Sequence, residues 1–257
     1  MQIGVSTSCY YPETTERSLD LLLQGGVKTI EVCFNSHSEL DVDYLKELRR
    51  KADAAGASIA AVHPYTTGME GILFFSDYDR RLEDSRDYYK LYYQAANLLG
   101  AGIVVFHGGY KQQTMPVEEY ARRIDLLDGD AWQTGVRLAQ ENVERNLSRS
   151  SAFLAQLRLL RPEQRFVFDL KQAIRSGEDP LDVVDAMGSG IVHLHLSDHL
   201  PGRECLPPGL GETDYAGLFE RLRRHGFDST AVIELYRKNF ADQTQLDQSL
   251  SFLQKFL

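Results

Sequence analysis

The chain has 257 residues, 43% hydrophobic and 25% charged, a globular composition that excludes a disordered chain, a collagen-like fibre and a coiled coil. Its net charge of −9 argues against a nucleic-acid partner, which calls for a basic footprint. Three cysteines far apart, Cys9, Cys33 and Cys205, imply neither a disulfide framework nor a cysteine metal site, so a reducing, cytoplasmic setting is expected.

The first strand is predicted over residues 3–9, and a helix over 14–24 carries Leu19, Leu22 and Leu23 on one face. A second strand at 29–34 leads to a helix over 43–55 that ends at Gly56. The third strand, 58–63, precedes a long aromatic-rich helix over 79–99. After the fourth strand, 102–107, a helix over 116–132 opens with Pro116 as its first helical residue. A fifth strand at 136–142 is followed by a helix over 148–160 that stops before Pro162. The sixth strand, 165–170, leads to a helix over 179–187. The seventh, 191–197, runs into the longest irregular stretch, 198–213, before a helix over 214–225. The eighth strand, 230–236, and a helix over 242–256 close the series.

Eight such units average about 32 residues, the size of a βα repeat. Strict alternation of apolar strands and amphipathic helices implies a parallel sheet covered by helices. The expectation is one domain, residues 1–257, folded as a single (β/α)8 TIM barrel. An open dinucleotide-binding sheet would want G-x-G-x-x-G after the first strand, where Ser8, Cys9, Tyr10 and Tyr11 stand instead. No apolar run approaches the ~20 residues of a membrane span, and the opening MQIGVSTSCYYPE does not resemble a secretory signal. The stretch 198–213 falls on the active face of such a barrel, and Gly202, Gly209 and Gly211 suggest a mobile cover.

Six consecutive strands deliver a metal-competent side chain near their carboxyl ends: His63, His107, Glu141, Asp169, His195 and Glu234. Alternation along each strand sends them inward, with Ile191 and His193 on the same face as His195. Carboxylates and imidazoles converging at one mouth are stabilised by a divalent cation, and mixed N/O donors suit Mn, Zn, Co or Mg. His193 is expected to be a hydrogen-bonded core residue, and Glu31, also inward, to pair with lysine or arginine. Asp198, Arg203, His199 and Lys111 are candidates for substrate contact, and Tyr65, Phe75, Tyr110 and Trp132 for walling off water.

VVFHGG (104–109), AQENVERN (139–146), FVFDL (166–170), HLHLSDH (193–199), LPPGLGETDY (206–215) and VIELY (232–236) together resemble the xylose-isomerase-like barrel superfamily. That group includes sugar isomerases and epimerases, hydroxypyruvate isomerase, two dehydratases and endonuclease IV. The resemblance implies a metal quartet of Glu141, Asp169, His195 and Glu234, with His63 and His107 lining the same mouth and contacting substrate. It implies a divalent-metal-dependent isomerase or epimerase of a small sugar, sugar phosphate or related polyhydroxy carbonyl compound, with Glu141 and Glu234 as the catalytic carboxylates. A dehydratase and a non-catalytic sugar-binding barrel are the alternatives. Endonuclease activity is not expected, because its Asp-x-x-His is Asp169-Leu-Lys-Gln172 here and its Asp-x-His loop is replaced by Gly202–Leu206. Leu147 and Pro201 stand where ketose 3-epimerases have glutamate and arginine, which leaves the substrate open. The expected partner is a small carbohydrate-like molecule, without nucleic acid or membrane, and a homo-oligomer is compatible with the reading.

Overall fold

A computed structural model describes all 257 residues. In chain order the strands are β1 (Gln2–Ser6), β2 (Thr29–Cys33), β3 (Ser58–His63), β4 (Ile103–Phe106), β5 (Arg137–Glu141), β6 (Arg165–Asp169), β7 (Ile191–Leu196), β8 (Asp198–Leu200), β9 (Arg203–Leu206) and β10 (Thr230–Ile233). Strands β1 to β7 and β10 close into a parallel barrel, each beside its predecessor, while β8 and β9 form a separate antiparallel hairpin. The helices are α1 (Thr15–Gln24), α2 (Val42–Ala54), α3 (Glu70–Phe75), α4 (Asp79–Leu99), α5 (Val117–Trp132), α6 (Ser151–Leu160), α7 (Leu170–Ser176), α8 (Pro180–Met187), α9 (Tyr215–Arg224) and α10 (Gln243–Leu253). None is long and apolar enough to cross a membrane.

Most helices begin at a side chain that accepts a first-turn N–H: Thr14 for α1, Asp41 for α2, Ser150 for α6, Asp179 for α8, Asp214 for α9 and Asp242 for α10. Pro116 is the residue before α5, with ψ 142°, and not its first helical residue as expected. Outward strand residues such as Val104, Phe106, Phe166, Phe168, Leu194 and Ile233 join one large core with the helices. Inside the barrel, Ala61, Val105, Ala139 and Val167 form a small, fully buried plug.

Alternation places these residues as expected, with one correction in β7. The β6–β7 register shifts at Phe166/Val167, so Val192 packs toward the plug and Ile191 joins the outer core. The bulge resets the alternation before His193, and His193 and His195 still point inward.

The stretch 198–213 is also corrected, from irregular chain to one that contains the β8–β9 hairpin. The Asp198 carboxylate accepts from the backbone N–H of His199, Gly209, Gly211 and Thr213 at 2.9–3.1 Å. Gly211 is required there: a β-carbon would lie 2.3 Å from the His199 carbonyl and 2.4 Å from the Asp198 carboxylate. Helix α7 was not foreseen in LKQAIRS. It starts directly off β6, and its first turn is capped by Asp169 Oδ1 on the Gln172 N–H at 2.8 Å.

Candidate metal centre

Strands β3, β5, β6 and β7, and the residues just beyond β4 and β10, each raise one titratable side chain to the mouth. His195 organises the set. Its Nε2 lies 2.8 Å from Glu31 Oε2, within the fully buried interior. With the Nε2 proton donated to that carboxylate, the Nδ1 lone pair faces three others: Glu141 Oε1 at 3.6 Å, Asp169 Oδ2 at 3.8 Å and Glu234 Oε2 at 3.7 Å. Ligand atoms around a tetrahedral ion with bonds of about 2.1 Å stand roughly 3.4 Å apart, close to this spacing.

Whether these residues fit a cation is tested by their unmet needs. Asp169 Oδ2 and His195 Nδ1 are buried and have no hydrogen-bond partner, and Glu141 turns its Oε1 toward His195 Nδ1 at 3.6 Å. Donor atoms of these three residues lie within 4.8 Å of one another. Buried polar atoms left in this state are costly, and a divalent ion held with Glu141 would satisfy both. Glu31 would then act as the carboxylate behind a metal histidine, fixing its tautomer and ring direction. Glu31 therefore pairs with histidines, not with the lysine or arginine expected: Ser6 Oγ donates to it at 3.0 Å and His193 Nε2 lies 3.3 Å away. His193 is the hydrogen-bonded core residue expected, with Nδ1 2.7 Å from Thr230 Oγ1.

A second cluster adjoins the first through Glu141. His107 Nε2 stands 2.9 Å from Glu141 Oε2 and 3.1 Å from His63 Nε2, and the three residues also offer donor atoms within 4.8 Å. Glu141 thus faces both clusters.

Lys171, which sequence reasoning passed over, is the buried cation of the site. Its Nζ is 2.7 Å from Glu234 Oε2 and 3.4 Å from Asp169 Oδ2. Only the α7 turn directly after β6 brings it there. A lysine two residues beyond an inward aspartate was the available signal. Asn142 aligns β5 and β6 at this level: its side chain donates to the Asp169 carbonyl at 2.8 Å and accepts from the Asp169 N–H at 2.7 Å. Glu70 is another residue the sequence did not point to. It accepts from the His107 and Gly108 N–H groups at 2.6 and 2.7 Å and from Tyr89, holding the turn that aims His107.

Burial disfavours every charge here, and the neighbours decide which charges survive. It raises Glu31 and Glu141, yet the imidazoles beside them hold both carboxyls well below the usual range. Burial opposes His195 protonation, but Glu31, Glu234 and Glu141 hold it well above the ordinary value. Burial raises Asp169 more than Lys171 lowers it, whereas Lys171 and His195 bring Glu234 down. Lys171 is itself held well above the ordinary lysine value, against burial, by Asp169 and Glu234. His63 is raised and His107 lowered, burial dominating in the second. For Glu70, burial outweighs three donors and pushes the carboxyl up to about 8.

A cavity of about 300 Å³ opens above these groups, lined by His63, His107, Glu141 and Glu234 together with Lys171 and Tyr236. Asp198 and Arg203 do not line it. Asp198 is buried under its four backbone donors, and Arg203 is exposed on β9. Lys111 is paired with Glu144 at 2.6 Å, and His199 Nδ1 contacts Thr213 Oγ1 at 3.0 Å away from the cavity. The aromatics also fall elsewhere. Trp132 stacks under Arg137 at the opposite end of β5, Phe75 packs on Tyr120, and the hydroxyls of Tyr65 and Tyr110 bond Tyr88 and the Gly68 carbonyl. Tyr236 is the aromatic at the mouth.

An uncharacterised protein of Mycobacterium leprae is 25% identical over 287 aligned residues, covering 100% of this chain and 98% of the relative. One of Mycobacterium tuberculosis is 26% identical, with 100% and 98% covered. Among solved structures, a D-tagatose 3-epimerase-like protein superposes with a TM-score of 0.80 at 20% identity, covering 100% of this chain and 97% of its own. D-psicose 3-epimerase of Clostridium cellulolyticum H10 gives 0.80 at 14% identity, covering 100% and 99%. A 3-keto-D-glucoside 4-epimerase of E. coli gives 0.75 at 16%, covering 99% of each. These likenesses concern the fold. Residues 19–256 match the xylose isomerase-like TIM barrel family, and the chain belongs to it.

Proposed function

We propose that this protein is an isomerase or epimerase of a small polyhydroxy carbonyl compound that works with one divalent cation. The observation that carries the reading is the pair of orphaned buried atoms, Asp169 Oδ2 and His195 Nδ1, facing the Glu141 and Glu234 carboxylates beneath a cavity of small-ligand size. Glu141, Asp169, His195 and Glu234 would hold the ion, which supplies Lewis acidity toward a carbonyl and its neighbouring hydroxyl. The epimerases among the superposed structures support the same class.

The chain's own groups account for the proton. Glu141 and Glu234 each lie within 3.7 Å of His195 Nδ1 from β5 and from beyond β10, so they face a small substrate from two sides. One removes the proton from the carbon between carbonyl and hydroxyl, and the other returns it. Lys171 sets its ammonium beside Glu234, where it also offers hydrogen bonds to an oxygen that gains negative charge. His63 and His107 hydrogen-bond the substrate oxygens from the opposite side of the mouth.

A panel of aldoses, ketoses, their phosphates and sugar acids, run in deuterium oxide with Mn²⁺ or Co²⁺, tests this. Turnover with one deuterium placed on the carbon beside the carbonyl is the expected result. Turnover without incorporation would replace the enediolate route by a hydride shift. Loss of water from the product would assign a dehydratase, and binding without turnover a sugar-binding barrel.

A further inference from the structure

The loop after β5 holds a cation that the protein itself leaves unused. Arg145 makes no hydrogen bond or ion pair through its side chain, while its backbone is tied down. Its carbonyl accepts from the Lys111 N–H at 3.0 Å, and the next residue, Asn146, donates to the Gly108 carbonyl and pairs with Tyr110 across an antiparallel bridge. The Leu147 N–H adds a bond to Gly109 at 2.9 Å. A flexible loop would leave such an arginine to wander, but this one presents it from a fixed base. The guanidinium leans toward the turn after β3, where a β-carbon on Gly68 would come within 3.6 Å of it. It therefore sits on the His63 and His107 side of the mouth, and it lines the same 300 Å³ cavity as those histidines.

Gln172, on α7, also lines the cavity. Its Oε1 is taken by the Glu144 N–H at 3.1 Å, which orients the side chain and leaves the amide N–H₂ without a protein partner. Arg175, one turn further, lines the same wall, with Glu204 at 2.7 Å and the Tyr236 hydroxyl at 2.8 Å holding it. The Lys111–Glu144 pair neutralises the one outer carboxylate of this wall. In a chain of net charge −9, the outer wall of this cavity thus presents donors and positive charge, while the carboxylates lie deeper, around His195.

We propose that Arg145 and the Gln172 amide, backed by Arg175, form an oxyanion subsite, so that the natural substrate is a polyhydroxy carbonyl compound bearing a phosphate or a carboxylate group. The guanidinium fork matches either group in two-point contact, and a neutral sugar would leave it unpaired. This deepens the isomerase reading and rests on it for the reacting end of the molecule. The anionic end is held on the outer wall, and the carbonyl end reaches the carboxylates below.

The test titrates inorganic phosphate and, separately, glycolate calorimetrically into wild-type holoenzyme, R145M and R145K. R80M, at an exposed arginine of α4 outside the cavity, is the control. Wild type and R80M should bind one anion more tightly than the other, and that preference names the group. R145M should bind it roughly 10- to 100-fold more weakly, the effect of a hydrogen-bonded charge pair, and R145K should recover part of the loss. With the matching substrate, R145M should raise KM by a similar factor and change kcat little. Anion binding equal in R145M and wild type would show that the cation of the metal centre alone holds the anion and would overturn the subsite, as would no binding in wild type. Turnover of neutral sugars that R145M does not disturb would remove the subsite and keep the isomerase. Arg145-dependent anion binding with no turnover of any polyhydroxy carbonyl compound would do the reverse.

Discussion

Two layers inside the same barrel, one pleat apart, have opposite characters. Ala61, Val105, Ala139 and Val167 form the lower layer, and two residues further along the same four strands stand His63, His107, Glu141 and Asp169. Backbone and face are shared. The lower layer is a dry plug whose atoms need nothing, whereas the upper layer holds polar atoms without partners. The plug seals the charges from below, so that they interact in a low dielectric and open only upward, into the cavity. Strand β7 breaks the division: His193 occupies its lower position and joins Glu31 beneath His195. The lower layer is thus apolar where it only packs and polar where it must orient a ligand.

The largest effect should come from the upper layer. Glu141→Gln and Glu234→Gln should each lower kcat at least about 1000-fold on the substrate once identified, with the thermal midpoint held within a few degrees. If either keeps substantial turnover, the proton-transfer assignment for that residue fails. Next comes metal content. Wild type should carry about one tightly held divalent ion, or two if the His63–His107–Glu141 cluster fills, and Asp169→Asn should carry none in the first site when measured by elemental analysis. Equal metal in both proteins would break the assignment of the upper layer as a metal centre.

Glu31→Gln tests the exception in the lower layer. Removing the carboxylate behind His195 should weaken metal affinity about 10- to 100-fold in a chelator competition, without removing a ligand. An unchanged affinity would make Glu31 a packing residue. Val167→Ala, under Asp169, should do the opposite: a loss of about 2 kcal/mol in denaturant unfolding of the metal-free protein, with metal affinity unchanged. A large change in metal affinity would show that the two layers are mechanically one.

The smallest effect lies outside the barrel. Glu119 on α5 accepts from Arg122 and Arg123, and these contacts hold its carboxyl down at about 2. A depressed carboxyl stabilises the fold above its unfolded value, and the contribution fades as pH falls from about 4.5 toward 2. Glu119→Gln should therefore cost under about 1 kcal/mol at pH 7, and the gap from wild type should narrow below pH 4.5. A gap that widens in acid would reverse the sign of the linkage.

The sequence carried the barrel and the side chains gathered at its mouth clearly because period and spacing are local properties. Eight apolar runs at regular intervals specify eight strands, and the inward parity of Glu141 and Asp169 follows from alternation alone. The misreadings came where a residue's environment is supplied by distant chain. Glu31 looks like any inward carboxylate until β7 brings His193 and His195 against it. Asp198 and Arg203 lie beside the mouth in sequence, but the hairpin turns one into its own anchor and leaves the other outside. Ile191 and Val192 were exchanged because a bulge depends on the neighbouring strand.

What the sequence determined by itself was therefore the architecture and the chemical types gathered at one end of it. Those depend on which residues are apolar and how far apart they stand. Only the tertiary structure decided which nitrogen of His195 faces the carboxylates, that Lys171 enters the cluster through a helix begun at Asp169, and that Arg145 faces the cavity without a partner. Each of these depends on the distance between groups tens of residues apart, and charges and hydrogen bonds act over only a few ångströms.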